Sequence, residues 1–175
     1  MKKFLLMVAI VAFGTLSLYA QAQQQKIGFI DSQTILKALP EAIRAQGQLD
    51  ELTKRYYAQA DSITAQLQQM YADYQKQQGT MKADRRKETE QAIVSKQQEL
   101  EGFKQQKFGQ NGELIKKNEE LFGPVKERIL KGIQDVAKDE AMTFVFDKTG
   151  DAILLYADTA YDITFKVLDK LKRGK

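Results

Sequence analysis

From Glu41 onward the apolar residues are thinly and regularly spaced. Leu49, Leu52, Tyr56, Ala60, Ile63, Leu67, Met70 and Tyr74 follow one another at intervals of three and four, which predicts a long helix with one narrow apolar seam. Gln, Lys, Arg and Asp fill the remaining positions, so this helix needs one partner helix rather than a globular core. The stretch 79–84, GTMKAD, interrupts the pattern with a glycine and turn formers. Beyond it Ile93, Leu100, Phe103, Leu114, Leu121, Val125, Ile129, Ile133 and Val136 resume a less regular helical stripe. The pattern predicts an antiparallel hairpin arm over 41–140 with its tip near 79–84, each limb about 38 residues and so roughly 55 Å long. Gly102, Gly109, Gly112, Gly123 and Gly132 punctuate the returning limb. Each costs about 1 kcal/mol against alanine in a helix, so this limb is expected to be pliable, with its kink at Gly123-Pro124.

Two denser apolar pieces flank the arm. Ile27-Gly28-Phe29-Ile30 predicts a short buried strand, and Asp31-Ser32 after it predicts a helix N-cap. Ser32 to Leu39 gives a helical turn or two, and Pro40 suits the first turn of a new helix. After Glu140 the run Met142 to Phe146 is aromatic and β-branched. Ala152 to Tyr156 is its expected mate in a β-hairpin, with 147–151 as the turn and Gly150 free to take positive φ. Asp158 or Thr159 is placed to cap a final helix whose Ile163, Val167, Leu168 and Leu171 face one way. The expected fold class is therefore α+β and mostly helical: segments 23–40 and 141–175 form a small β-body, and the arm projects from it. Ile27, Phe29, Ile30, Phe144, Val145, Phe146, Ile153, Leu154 and Leu155 carry more apolar surface than this body can hide. It is expected to serve as an oligomerisation base.

The first residues change the picture of where the chain works. Lys2 and Lys3 precede an unbroken apolar run, Phe4 to Phe13, and Ala20-Gln21-Ala22 fits a small-x-small cleavage site, which together read as a secretory signal over 1–22. A membrane-anchoring helix is the alternative, but the run is broken by Gly14, Thr15 and Ser17 and falls short of the roughly 20 residues a span needs. Removing 1–22 takes away two lysines and no acids, so the formal charge falls from +4 to +2. That balance lacks the one-sided basic excess of a nucleic-acid binder. Cysteine and histidine are absent, which removes disulfides, catalytic thiols, the commonest general base and the commonest transition-metal ligand. No glycine-rich phosphate loop, metal-ligand spacing or nucleophile–base pair occurs either, so neither an enzyme, a cofactor nor a metal is expected.

Three groups on the arm are candidates for contact with partners. Lys82, Arg85, Arg86 and Lys87 make a basic tip, suited to acidic lipid head groups or an acidic partner, or simply to keeping a turn soluble. Tyr57 and Tyr71 fall off the narrow seam and have no core of their own to enter. Phe103 and Phe108 stand among lysines, either as core residues beside solvated charges or as a surface for apolar segments of a client.

The ordered parts, a signal segment, KIGFIDSQTILKALPEA, a long Gln/Lys-rich helical hairpin and TFVFDKTGDAILLYADTAYDITFKVLDKLK, resemble the Skp (OmpH) family of periplasmic chaperones over nearly all of Lys26 to Lys172. The resemblance implies a homotrimer in which three bases merge and three arms surround a cavity. There, unfolded outer-membrane β-barrel proteins would be held without ATP. It also implies a lipopolysaccharide site, whose nearest bases here are Lys107, Lys116 and Lys117, lysines where the family carries arginines. Pro40 departs from the continuous helix of some relatives. A non-enzymatic coiled-coil tether of the cell envelope is the rival from another class, and a lipid or glycan binder acting through the tip is a third.

Overall fold

The computed structural model describes residues 25–150 and 154–174; the signal segment 1–22 and Ile153 lie outside them. The chain runs β1 (Ile27–Ile30), α1 (Ser32–Ala38), α2 (Pro40–Gln77), α3 (Ala83–Phe108), α4 (Glu113–Asp139), β2 (Phe144–Asp147), a 3-10 turn (Thr159–Tyr161) and α5 (Thr164–Arg173). Among the described residues, no helix is long and apolar enough to cross a membrane.

Local chemistry sets most of these boundaries. The Asp31 carboxylate accepts from the Thr34 N–H at 2.8 Å and starts α1. Proline cannot donate a backbone hydrogen bond, so Pro40 opens α2 at a position where the N–H would have no intrahelical partner. All eight seam residues of α2 are buried or half-buried, as are all nine apolar residues predicted on the returning limb. The limbs reverse at Gln78 to Lys82, where the Arg86 guanidinium donates to the Gln78 carbonyl at 2.8 Å.

The returning limb is two helices, and it breaks at Gly109–Gly112 instead of at Gly123-Pro124. A Cβ on Gly109 would collide with the Gln105 carbonyl, and one on Gly112 would lie 2.9 Å from backbone atoms of Gly109 and Lys107. Backbone packs on backbone here, which only glycine permits. Pro124 instead sits within α4, and a Cβ on Gly123 would touch nothing. Gly132 has a packing role: a Cβ there would come within 2.8 Å of the Leu171 side chain, so its absence lets α5 lie close to α4.

The second departure concerns β2. It was expected to fold back on Ala152 to Tyr156, yet Leu154 to Asp158 forms no strand, and Ala152 lies outside the described residues. Instead β2 lies parallel to β1, with Ile27 beside Phe144 and Ile30 beside Asp147. The 147–150 turn, closed by the Gly150 N–H on the Asp147 carbonyl at 3.2 Å, also anchors the chain. The Asp147 carboxylate accepts from the backbone N–H groups of Ser32 at 3.2 Å and Thr149 at 3.0 Å. The Lys148 N–H extends the ladder to the Ile30 carbonyl at 2.9 Å.

One side of this two-stranded sheet packs on helices. Ile30 and Val145 meet a core built from Ile35, Leu39, Ala42, Val125, Ile129, Val136, Ile163, Val167, Leu168 and Leu171. Ala42 and the α4 residues of this core belong to the span 41–140 that the sequence pattern assigns to the arm. Arg128 ties the root of the arm to the base: it pairs with Glu41 on α2 and donates to the Leu171 carbonyl at the end of α5.

The end of α4 carries one strained residue. Ala141 has φ of 52°. Its N–H reaches the Lys138 carbonyl at 3.1 Å, and the Met142 N–H reaches Ala137 at 2.8 Å. This is the Schellman arrangement, in which glycine is the usual occupant. Ala141→Gly is expected to stabilise the protein by about 1 kcal/mol by relieving the Cβ clash of the left-handed conformation. Urea unfolding reads this as a higher midpoint, and a lowered midpoint would contradict it.

Candidate functional site

The structure brings some of the candidate residues together in two places, an aromatic node midway along the arm and an exposed face of the base. The node lies where α3 ends, opposite an unbroken stretch of α2. Tyr56 meets Phe103 and Phe108 edge-to-face, with ring centroids 6.4 and 6.3 Å apart. The Lys107 ammonium sits 5.0 Å from the Tyr56 ring centre and 5.8 Å from that of Phe103, within range of a cation–π attraction. Glu113, the first residue of α4, accepts from both the Tyr56 hydroxyl and Lys107, each at 2.6 Å. One carboxylate therefore joins all three helices of the arm across the glycine break.

That geometry sets the electrostatics. The Lys107 bond, then the Tyr56 bond, holds the Glu113 carboxyl below its usual range. The bond to Glu113 in turn pushes the Tyr56 hydroxyl up. Nothing in the sequence marked Glu113 out, because its role depends on the register between α2 and the start of α4.

The other arm candidates are scattered. Tyr57 stacks on Phe108 at 4.8 Å with the rings tilted by 34°, and 57% of its surface is exposed. Tyr71 is exposed farther toward the tip. Of the three lysines implied by resemblance, Lys107 is committed to the node, Lys117 pairs with Glu120 at 2.6 Å and Lys116 is exposed. At the tip Arg85 pairs with Glu88 and Arg86 closes the turn, while Lys82 and Lys87 are exposed.

On the base, Ile27, Phe144 and Phe146 occupy the side of the sheet turned away from the helices, and all three are exposed. Ile30 and Val145 point the other way into the core, and Phe29 is buried. Leu154, Tyr156 and Tyr161 complete a groove of about 460 Å³ over this face. Leu155 and Phe165 stand almost free of the rest of the chain, 93% and 75% exposed. The sequence pointed to the strand residues of this patch. It places Tyr156 in a second strand that 154–158 do not form, and it does not point to Tyr161, which sits in a 3-10 turn.

Because Glu113 has a lowered pKa in the folded arm, its contribution to stability is fully present above the ordinary Glu range and is lost as pH falls through the folded value. Acidification is therefore expected to loosen the node, read as a change in the near-UV ellipticity of tyrosine before global unfolding. Glu113→Gln should flatten that acid response. An unaltered response in this variant would show that the node does not depend on the carboxylate.

Residues 26–171 match the family described as Outer membrane protein (OmpH-like). The chain is 30% identical to the chaperone protein Skp of Yersinia enterocolitica over 154 residues, covering 87% of this chain and 90% of that one. Its fold is similar to a crystal structure from Caulobacter crescentus CB15, an OmpH-like protein proposed to be an outer membrane chaperone. The TM-score is 0.67 at 14% identity, with 86% of each chain covered. A sheet-and-helix base, a two-limbed helical arm and a match over 26–171 together make this chain a member of the OmpH-like family.

Proposed function

We propose that this protein is an ATP-independent holdase of the periplasm, which keeps unfolded outer-membrane β-barrel proteins from aggregating. The observation that carries this reading is the contrast between its two halves. Among its described residues the base exposes an apolar face formed by Ile27, Phe144, Phe146, Leu154, Tyr156 and Tyr161. The arm buries a single narrow seam and is polar elsewhere. Contiguous apolar surface of this kind marks a site of association, and a cyclic assembly of copies is the simplest way to cover it. We assign it to a homotrimer whose arms project around a shared space. The secretory pattern of 1–22 and membership of the OmpH-like family support export to the periplasm.

Such an arrangement holds a client by many weak contacts. The arms offer exposed aromatic and aliphatic side chains, Tyr57, Tyr71, Val94 and Ile115 among them, set among charges of both signs. Charged surroundings keep the loaded complex soluble while the apolar positions take up client side chains. The exposed bases of the tip and Lys116 leave room for acidic lipid or lipopolysaccharide as a further partner.

Diluting a urea-unfolded outer-membrane β-barrel protein into buffer with excess mature protein should leave light scattering low. Scattering as high as in its absence would overturn the holdase reading. Phe146→Asp should dissociate the assembly while far-UV helicity stays nearly unchanged, since burying a phenylalanine contributes about 2 kcal/mol per copy. Sedimentation of the unmutated protein as a monomeric rod or a dimer would favour an envelope tether instead.

A further inference from the structure

Resting on the holdase reading, we infer that a notch between α2 and α3 binds an aromatic side chain of an extended client, together with the backbone amide next to it. The notch is lined by Tyr57, Ala60, Asp61, Thr64, Lys104 and Phe108 and encloses about 320 Å³. Its floor is the tilted Tyr57–Phe108 pair. Asp61 lies one helical turn beyond Tyr57, and Lys104 lies one turn before Phe108. Because the helices run antiparallel, both charges fall on the tip side of the aromatic pair, on facing helices.

Opposite charges facing each other across a helical pair normally close into an ion pair. Arg128–Glu41 does so between the two limbs of this molecule. Asp61 and Lys104 both line the notch, yet among the described residues neither makes an ion pair or a side-chain hydrogen bond. A peptide unit supplies what each side needs. Its N–H donates to a carboxylate and its carbonyl accepts from an ammonium, whatever the sequence. The aromatic floor then adds selectivity, since stacked or tilted rings attract beyond their buried area. Strands of outer-membrane barrels carry aromatic residues near their ends and alternate apolar with polar side chains. A single aromatic between polar neighbours, in extended form, is the ligand this notch complements.

The test uses the mature protein and two soluble barrel-strand peptides that differ only in one residue, tryptophan or leucine, each with a fluorescent label for anisotropy. The tryptophan peptide should bind roughly three- to tenfold more tightly. Tyr57→Ala should erase that preference, and Tyr71→Ala should keep it, since Tyr71 is exposed on the same helix but lies outside the notch. The double change Asp61→Asn with Lys104→Gln should weaken both peptides alike. Equal binding of the two peptides by the unmutated protein, a preference that survives Tyr57→Ala, or its equal loss in Tyr71→Ala would each overturn the inference. Unaltered circular dichroism guards against misfolding of any variant. These outcomes are separate from the holdase reading, which fails only if the unmutated protein does not suppress client aggregation.

Discussion

Two four-residue strands from opposite ends of the chain must lie side by side and parallel, and everything else in the molecule is arranged around that requirement. Parallel neighbours cannot be joined by a tight turn and need a crossover. Here the crossover is the whole of residues 31–143, drawn out into a helical hairpin. A short sheet with one crossover is too small to stand alone. It is held on one side by α1, the root of α2, the end of α4 and α5, whose side chains make one continuous core with Ile30 and Val145. On the other side, among the described residues, Ile27, Phe144 and Phe146 stay exposed, and they are the strongest pointer to association.

Much of this was legible in the sequence, and the parts that were not have identifiable causes. The seam of α2 was readable because a two-helix packing surface is narrow, so its three-and-four spacing stands out against a polar background. Asp31 and Pro40 were readable because a cap and a first-turn proline act locally. The β2 pairing was misread for the opposite reason. A turn-forming DKTGD next to a second apolar run has the local grammar of a hairpin, but Asp147 spends its carboxylate on Ser32, far away in sequence. Long-range hydrogen bonds won over local propensity.

The glycines teach the same lesson at finer scale. Composition cannot tell a glycine that bends a helix from one that admits a neighbour. Gly132 admits Leu171, Gly28 admits the Met142 sulfur, and Gly109 with Gly112 lets the chain step between helices. Gly123-Pro124, the most conspicuous pair on paper, is simply carried within α4. On the candidate site, aromatic residues were visible as types, while the joining carboxylate of Glu113 and the lone charges Asp61 and Lys104 became visible only when the register across the arm was known.

The glycine step between α3 and α4 has a mechanical consequence. Over most of its length the arm is a beam two helices thick, and for four residues it is only one. Bending stiffness falls steeply as a beam is thinned, so sideways load collects at that level instead of spreading along the limbs. That load falls on the intact α2 and on the Tyr56–Glu113–Lys107 contacts, which span the step. An arm built this way can take up bending at one level while the seam of α2 with α3 stays packed.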